Sequence, residues 1–273
     1  MDDDVERHYT VEGLVDTIKD GFRAEGKDLA NLSPVDLAPI DEFHVRGREA
    51  TLDLIRHLDL EPGHQALDIG CGKGGGARLL AETFGCQVTG IDLTQAYCDV
   101  ASILAEWVGL RDRVTFIQGN ALDLPFDEAS FDAAITQHAA MNIADKDRLY
   151  RETRRVLKTG GTFAIYDILQ GAGGDILYPV PWAREPSISF VATPDDMRRH
   201  LKDAGFEIVH WRDTSDLGLR FFEAIATRIG ETGLPPVGWH LLMGPDFKEM
   251  AANQRQNLGE DRIVLAEIVC RAV

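Results

Sequence analysis

The stretch Gln65-Ala66-Leu67-Asp68-Ile69-Gly70-Cys71-Gly72-Lys73-Gly74-Gly75-Gly76-Ala77-Arg78-Leu79-Leu80 decides the fold. It opens short and apolar, as a buried strand does, and glycines at 70, 72 and 74 then alternate with other residues. Ala77, Leu80 and Ala81 follow at helical spacing, so the run reads as strand, glycine turn and helix. Glycine suits such a turn because the backbone bends sharply and a ligand comes close, and a Cβ obstructs both. A helix beginning near Gly75 directs its free N–H groups at the turn.

The readings of this turn separate on its residues. A nucleotide phosphate loop ends in Gly-Lys-Ser/Thr, but Lys73 is followed by Gly74, which removes that reading. Gly70, Gly72 and Gly75 meet the dinucleotide pattern G-x-G-x-x-G literally, so an NAD-dependent oxidoreductase stays as a remote alternative. Asp68 shifts the balance, because it turns the motif into Asp-x-Gly-x-Gly-x-Gly. A carboxylate at the strand's end attracts a cation and repels a pyrophosphate. On these residues the stretch resembles motif I of the class I S-adenosylmethionine (SAM) methyltransferases. The resemblance implies SAM as cofactor, S-adenosylhomocysteine as product, and a loop backbone at Gly70, Gly72 and Gly74 lying against the methionine part of SAM.

Downstream, strand and helix signals alternate as in a parallel sheet. Strands are expected at 65–70, 87–92, 114–119, 131–136 and 162–167, with helices ending at 84 and spanning 95–109 and 145–157. A helix over 193–204, with Pro194 in its first turn and Gly205 after its end, precedes a strand at 207–211. A helical pattern at 217–230, a Gly/Pro loop at 233–245 and a closing strand at 262–271, expected antiparallel, complete the chain. The fold class is α/β: a Rossmann-like, seven-stranded, mostly parallel sheet with helices on both faces. Upstream, Val11, Leu14, Val15 and Ile18 share a face of a helix expected over 10–24. Gly26, Pro34 and Pro39 make 26–43 read as a surface loop, and a helix follows over 48–58. The domain reading is an N-terminal helical extension capping the site, 1–44, and a methyltransferase domain, 45–273. A lid segment follows the fifth strand at about 168–192, because a loop that long in a compact domain carries function.

Composition narrows the partners. Lys and Arg total 28 against 45 Asp and Glu, a formal charge of −17. Such a surface repels phosphate backbones and anionic lipid, which argues against nucleic acid and membrane partners. No apolar run reaches the ~18 residues of a membrane span, and the start Met-Asp-Asp-Asp is the opposite of a basic signal-peptide region. Cys71, Cys86, Cys98 and Cys270 form no C-x-x-C pair, so reduced thiols and a cytoplasmic location are expected. A homodimer is left open.

The cofactor residues follow from the strand ends. Asp92 closes the second strand about 20 residues past the first glycine, where such folds place an acid for two ribose hydroxyls. Leu93 is expected on the adenine. Gly119-Asn120-Ala121-Leu122-Asp123 resembles the family's Gly-Asp-Ala segment, which implies an adenine contact through Asn120, Ala121 and Leu122, here with a neutral amide where Asp is common. Tyr9 is a candidate cover for the cofactor.

The chemistry is expected where the fourth strand ends, at Gln137-His138-Ala139-Ala140-Met141-Asn142, since ligands bind beyond the carboxyl ends of parallel strands. Gln137 is placed to orient the methionine end, and His138 is the side chain placed for proton removal. The segment Asp41-Glu42-Phe43-His44-Val45-Arg46-Gly47 looks like the pre-domain segment of sarcosine/dimethylglycine-type methyltransferases, which makes His44 a second candidate base. Met141 and the lid residues Tyr178, Trp182, Arg184 and Phe190 are the expected substrate wall. Catechol-type metal chemistry asks for acids after the fourth strand, and none stands there, so no catalytic metal is expected. The acceptor is expected to be a small-molecule amine, by resemblance to the sarcosine/dimethylglycine type. An O- or C-methyltransferase acting on a hydroxyl, phenol or quinone, as in the ubiquinone/tocopherol type, is the alternative.

Overall fold

The structure is a computed structural model, and it describes Val5 and residues 13–273. Seven strands form one sheet: β1 (Gln65–Ile69), β2 (Gln87–Asp92), β3 (Val114–Gln118), β4 (Phe131–Gln137), β5 (Leu157–Gln170), β6 (Phe206–Asp213) and β7 (Ile263–Ala272). Their order is β3-β2-β1-β4-β5-β7-β6. The pairs from β3 to β5 are parallel, and β7 lies antiparallel between β5 and β6. This is the Rossmann-like, mostly parallel sheet with an antiparallel last strand that the pattern of the chain implies.

Strand period fixes which side chains face which layer. Ala164, Tyr166 and Ile168 of β5 point to one core, while Phe163, Ile165 and Leu169 point to the other. The first core is closed by α3 (Arg48–Ile55) and α4 (Gly75–Phe84), through Ala50, Leu54, Ala77 and Leu80. The second is closed by α6 (Lys146–Val156) and α7 (Pro194–Asp203), through Leu149, Tyr150, Met197 and Leu201. Chain order reverses between β1 and β4, and a crevice opens beyond their carboxyl ends, as this topology requires.

A third cluster attaches the N-terminal part. Leu14, Ile18 and Phe22 of α1 (Leu14–Ala24) and Leu37 and Ile40 of α2 (Pro34–Asp41) pack on Tyr97, Val100 and Leu104 of α5 (Gln95–Trp107). Residues 34–41, expected as loop, are helical. Ser33 and Asp36 form a reciprocal capping box, and Pro34 occupies the first turn, where its missing N–H costs nothing. Pro39 costs one bond in an eight-residue helix. The buried Asp41–Arg78 ion pair joins the end of α2 to α4.

The C-terminal third also differs in detail. Helix α8 (Ser215–Thr232) is followed by a short α9 (His240–Met243) inside the expected loop, and by α10 (Phe247–Gly259), which the pattern reading leaves out. The lid segment begins only after Gln170, because β5 runs on beyond residue 167 against β7. All four cysteines are buried and free. Among the described residues, no helix is long and apolar enough to cross a membrane.

Candidate active site

The crevice beyond β1 and β4 is a cavity walled by the glycine turn, the loop after β3, the end of β4, Asp41, residues 43–45 and part of the lid. Gly70 permits the close approach that opens it, since a Cβ there would lie 2.4 Å from the Ala139 Cβ. Gly72 has φ +51° and nothing within 4 Å of an added Cβ, so its bare backbone faces open space. Gly74 does not line the cavity. Its Cβ would strike the Phe116 ring, which makes it a packing glycine at the start of α4.

Two acids flank this turn. Asp92 Oδ2 accepts the Gly72 N–H at 2.8 Å and its Oδ1 accepts the Thr94 N–H at 2.9 Å. Each oxygen keeps a second lone pair, the pattern that two vicinal hydroxyls require. Burial pushes the Asp92 carboxyl above its ordinary value, against those N–H donors and Lys73. Asp68 is 4% exposed. Burial raises it to about 7, opposed by the Ala77 N–H and reinforced by Asp92. A bound cation near Asp68 would favour its ionised form.

Around the far end lie Leu93, Asn120, Ala121 and Leu122. The Asn120 Oδ1 accepts the Leu122 N–H at 2.9 Å, so the amide oxygen first serves its own turn. Lys73 is a residue that sequence reasoning missed. It is 1% exposed, with its ammonium 4.5 Å from the Tyr97 ring centre and 5.2 Å from that of Phe43. Burial lowers it to about 8, against the pull of Asp41 and Asp92. Its place inside the glycine turn was the available signal. Trp239, in edge contact with Phe43 at 5.5 Å, also lines the cavity, and no motif announces it.

The end of β4 meets residues 42–44. His138 has φ +47°, and its N–H bonds the Tyr166 carbonyl at 2.8 Å. Such a backbone, unusual for a non-glycine, turns the ring onto that of Tyr166, with centroids 5.1 Å apart and planes 22° from parallel. The His138 Nε2 is buried without a hydrogen-bond partner. Burial, and then His44, lower its pKa well below 6.5, so the ring is neutral.

His44 belongs to a network instead of standing alone. Its Nε2 is 3.1 Å from Glu42 Oε2, 3.1 Å from Thr51 Oγ1 and 3.2 Å from Gln137 Nε2, and its Nδ1 is 3.3 Å from the Val45 carbonyl. Thr51 donates to Glu42 at 2.6 Å. Burial pushes Glu42 up, but His44 and the Thr51 hydroxyl outweigh it and hold the carboxyl below its ordinary value. Glu42 and Thr51 carry no recognisable motif, which is why the network is invisible in the sequence.

The lid contributes less than expected. Pro181 and Trp182 line the cavity beside Met141. Trp182 is 1% exposed and donates through Nε1 to Ser189 Oγ at 2.9 Å. Asn142 donates to the Trp182 and Ile188 carbonyls, both at 2.8 Å, and Lys146 to the Phe190 carbonyl at 2.6 Å. Tyr178, Arg184 and Phe190 lie outside the cavity. Tyr178 packs half-buried on the first core, Arg184 pairs with Asp246, and Phe190 holds the Met141 carbonyl through its backbone. Tyr9 lies outside the described residues.

Residues 67–165 match the family described as a methyltransferase domain. The chain is 30% identical over 209 residues to the methyltransferase GfsG of Streptomyces halstedii, covering 73% of this chain and 75% of that protein. It is 29% identical over 178 residues to the sarcosine/dimethylglycine N-methyltransferase of Halorhodospira halochloris, covering 65% and 63%. It spans less than half the length of the sterol 24-C-methyltransferases that it also matches. In fold it is similar to a geranyl diphosphate C-methyltransferase of Streptomyces coelicolor A3(2), with a TM-score of 0.73, 20% identity and coverage of 100% and 97%.

Proposed function

The chain belongs to the class I SAM-dependent methyltransferases acting on small molecules, and from that premise we propose that its acceptor atom is an amine nitrogen. The cavity fits the cofactor: Asp92 offers two acceptor oxygens for ribose hydroxyls, Gly72 a bare backbone, and Asp68 a carboxyl for the cationic end. Bound there, SAM supplies a methyl group already activated by its sulfonium charge. The chain's own residues hold the acceptor in line and exclude water, which is most of what such a displacement needs.

The observation that carries the amine reading is the buried, unpartnered Nε2 of a neutral His138. It can accept a hydrogen bond from an acceptor N–H and aim the nitrogen lone pair at the methyl group. It is a poor place to deposit a proton, because burial and His44 both disfavour imidazolium. An unprotonated amine asks only for that orientation, whereas a hydroxyl asks for a base. Both nitrogens of His44 face partners within its network, so we assign His44 and Glu42 the bracing of Thr51, whose Oγ1 accepts the Gln137 amide N–H at 3.1 Å. The lining also favours a basic acceptor. Asp68 and Asp92 stand against Lys73, whose ammonium already lies between two rings, while Asp41 is paired with Arg78.

A hydroxyl or carbon acceptor is the second reading, favoured by the carboxylate–imidazole pair Glu42–His44, which resembles a base and its orienting acid. In either case Asp41 and residues 43–45 form part of the cavity wall, so we take the segment 1–44 and the lid as the parts that select the acceptor. Methyl-labelled SAM offered with a panel of small primary and secondary amines, phenols and alcohols tests the choice. Label in amines and not in phenols is the expected outcome; label confined to phenols or alcohols overturns it.

A further inference from the structure

Three side chains that methyl transfer does not use converge near the β6 edge of the sheet. His57 follows α3, His210 is on the edge strand β6, and Glu267 is on its neighbour β7. The His57 Nε2 lies 3.5 Å and the His210 Nε2 3.1 Å from the same oxygen, Glu267 Oε1. The two imidazole rings are 4.4 Å apart, and all three ligand atoms lie within 4.8 Å of one another. We propose that His57, His210 and Glu267 bind a divalent transition-metal ion of the zinc class.

The separations suit such an ion. Bonds of ~2.0–2.1 Å in a tetrahedron put neighbouring ligand atoms about 3.3 Å apart, and the two nitrogen–oxygen distances bracket that value. Two imidazoles and one carboxylate are the donor set of three-ligand zinc sites with an open position, whereas Mg²⁺ and Ca²⁺ call for oxygen throughout. The Glu267 side chain is 3% exposed and the histidines are 28% and 32% exposed. The acid therefore forms the floor and the imidazoles a rim that solvent reaches. Among the described residues, the ion-pair partners of this buried carboxylate are these two histidines, so a cation would balance a charge that is costly to bury. The ligands stand at 57, 210 and 267, so no local spacing in the sequence reveals them. An ion here would tie α3, which follows the His44 segment, to β6 and β7.

The test uses the untagged chain, stripped with chelator and titrated with Zn²⁺, Co²⁺ and Mg²⁺. One equivalent of Zn²⁺ should bind, Co²⁺ should give visible ligand-field bands of a tetrahedral site, and Mg²⁺ should give no response. The double variant His57→Gln/His210→Gln should bind Zn²⁺ at least about 100-fold more weakly, with S-adenosylhomocysteine binding unchanged as the check on folding. Should the double variant fail that check, His210→Gln alone, on the edge strand, is expected to weaken Zn²⁺ at least about tenfold. The proposal is overturned if the wild-type chain takes up no Zn²⁺ at micromolar concentration. It is equally overturned if the folded variants bind Zn²⁺ as tightly as wild type, which would move the ion to another part of the chain.

Discussion

The His138 ring lies nearly parallel on that of Tyr166, 5.1 Å between centroids, and leaves its Nε2 buried and unpartnered. The stack fixes the ring, and the register that pairs Gln137 with Tyr166 fixes the stack. In the proposed reading, an acceptor atom arriving beyond β4 would meet a nitrogen whose direction is set before binding.

The same burial makes the fold sensitive to acid. The folded pKa of His138 is depressed below 6.5, so below 6.5 the unfolded chain binds a proton that the native chain does not. This contribution is fully present above pH 6.5 and is lost as pH falls toward the folded value. Chemical denaturation of wild type and His138→Asn at about pH 7.5 and about pH 5 should show a smaller acid loss in the variant. An equal loss would remove His138 as a source of it.

Asp68 has the opposite sign. Its folded pKa is raised to about 7, so its contribution is present below pH 3.8 and is lost as pH rises through 7. Asp68→Asn should stabilise the empty protein above pH 7, by an amount on the order of 4 kcal/mol at most. It should also weaken SAM binding. Calorimetry in the absence of ligand, followed by SAM titration, checks both; a destabilised variant with normal SAM affinity contradicts the assignment.

Asp92→Ala should weaken SAM at least about tenfold, since lost hydrogen bonds to a buried charge cost roughly 1.5–3 kcal/mol each. Asp92 also holds the Gly72 and Thr94 N–H groups, so circular dichroism must accompany the titration. An unchanged dissociation constant in a folded variant would take Asp92 out of the site.

Asn142 donates to two lid carbonyls, those of Trp182 and Ile188. Asn142→Ala should destabilise the protein by about 1–3 kcal/mol and raise the KM for the acceptor more than that for SAM. Equal effects on both KM values would mean that the lid does not act on the acceptor alone.

Gly72→Val should abolish SAM binding with the fold largely kept, because the added side chain enters open space at the turn, although φ +51° adds strain. Normal SAM affinity would show that the cofactor does not approach this backbone.

The sheet was legible because β1 to β4 are short, largely apolar runs, and the turns after β1, β2 and β3 are marked by glycine or acid. Asp68, Gly72, Asp92 and His138 stand at those ends and line one cavity. What escaped reading depends on partners distant in sequence. The helix over 34–41 was hidden by its prolines, although Pro34 starts it. The helix over 247–259 has a weak amphipathic pattern, with Gln254 and Asn257 among its buried residues. Arg184, expected in the substrate wall, pairs with Asp246 instead. The contacts of Glu42 and His44 with Thr51 and Gln137 join residues up to 93 positions apart, which no local spacing shows.

The central claim is that His138 orients an amine and does not remove a proton, and turnover of His138→Asn on the accepted substrate tests it most directly. At saturating SAM, activity should fall less than about tenfold, far short of the ~10²–10⁴-fold contribution of a general base. Its rise with pH should follow the acceptor's own deprotonation in both proteins. A folded His138→Asn variant with normal SAM affinity and a thousandfold lower turnover would contradict the claim and point to a hydroxyl acceptor.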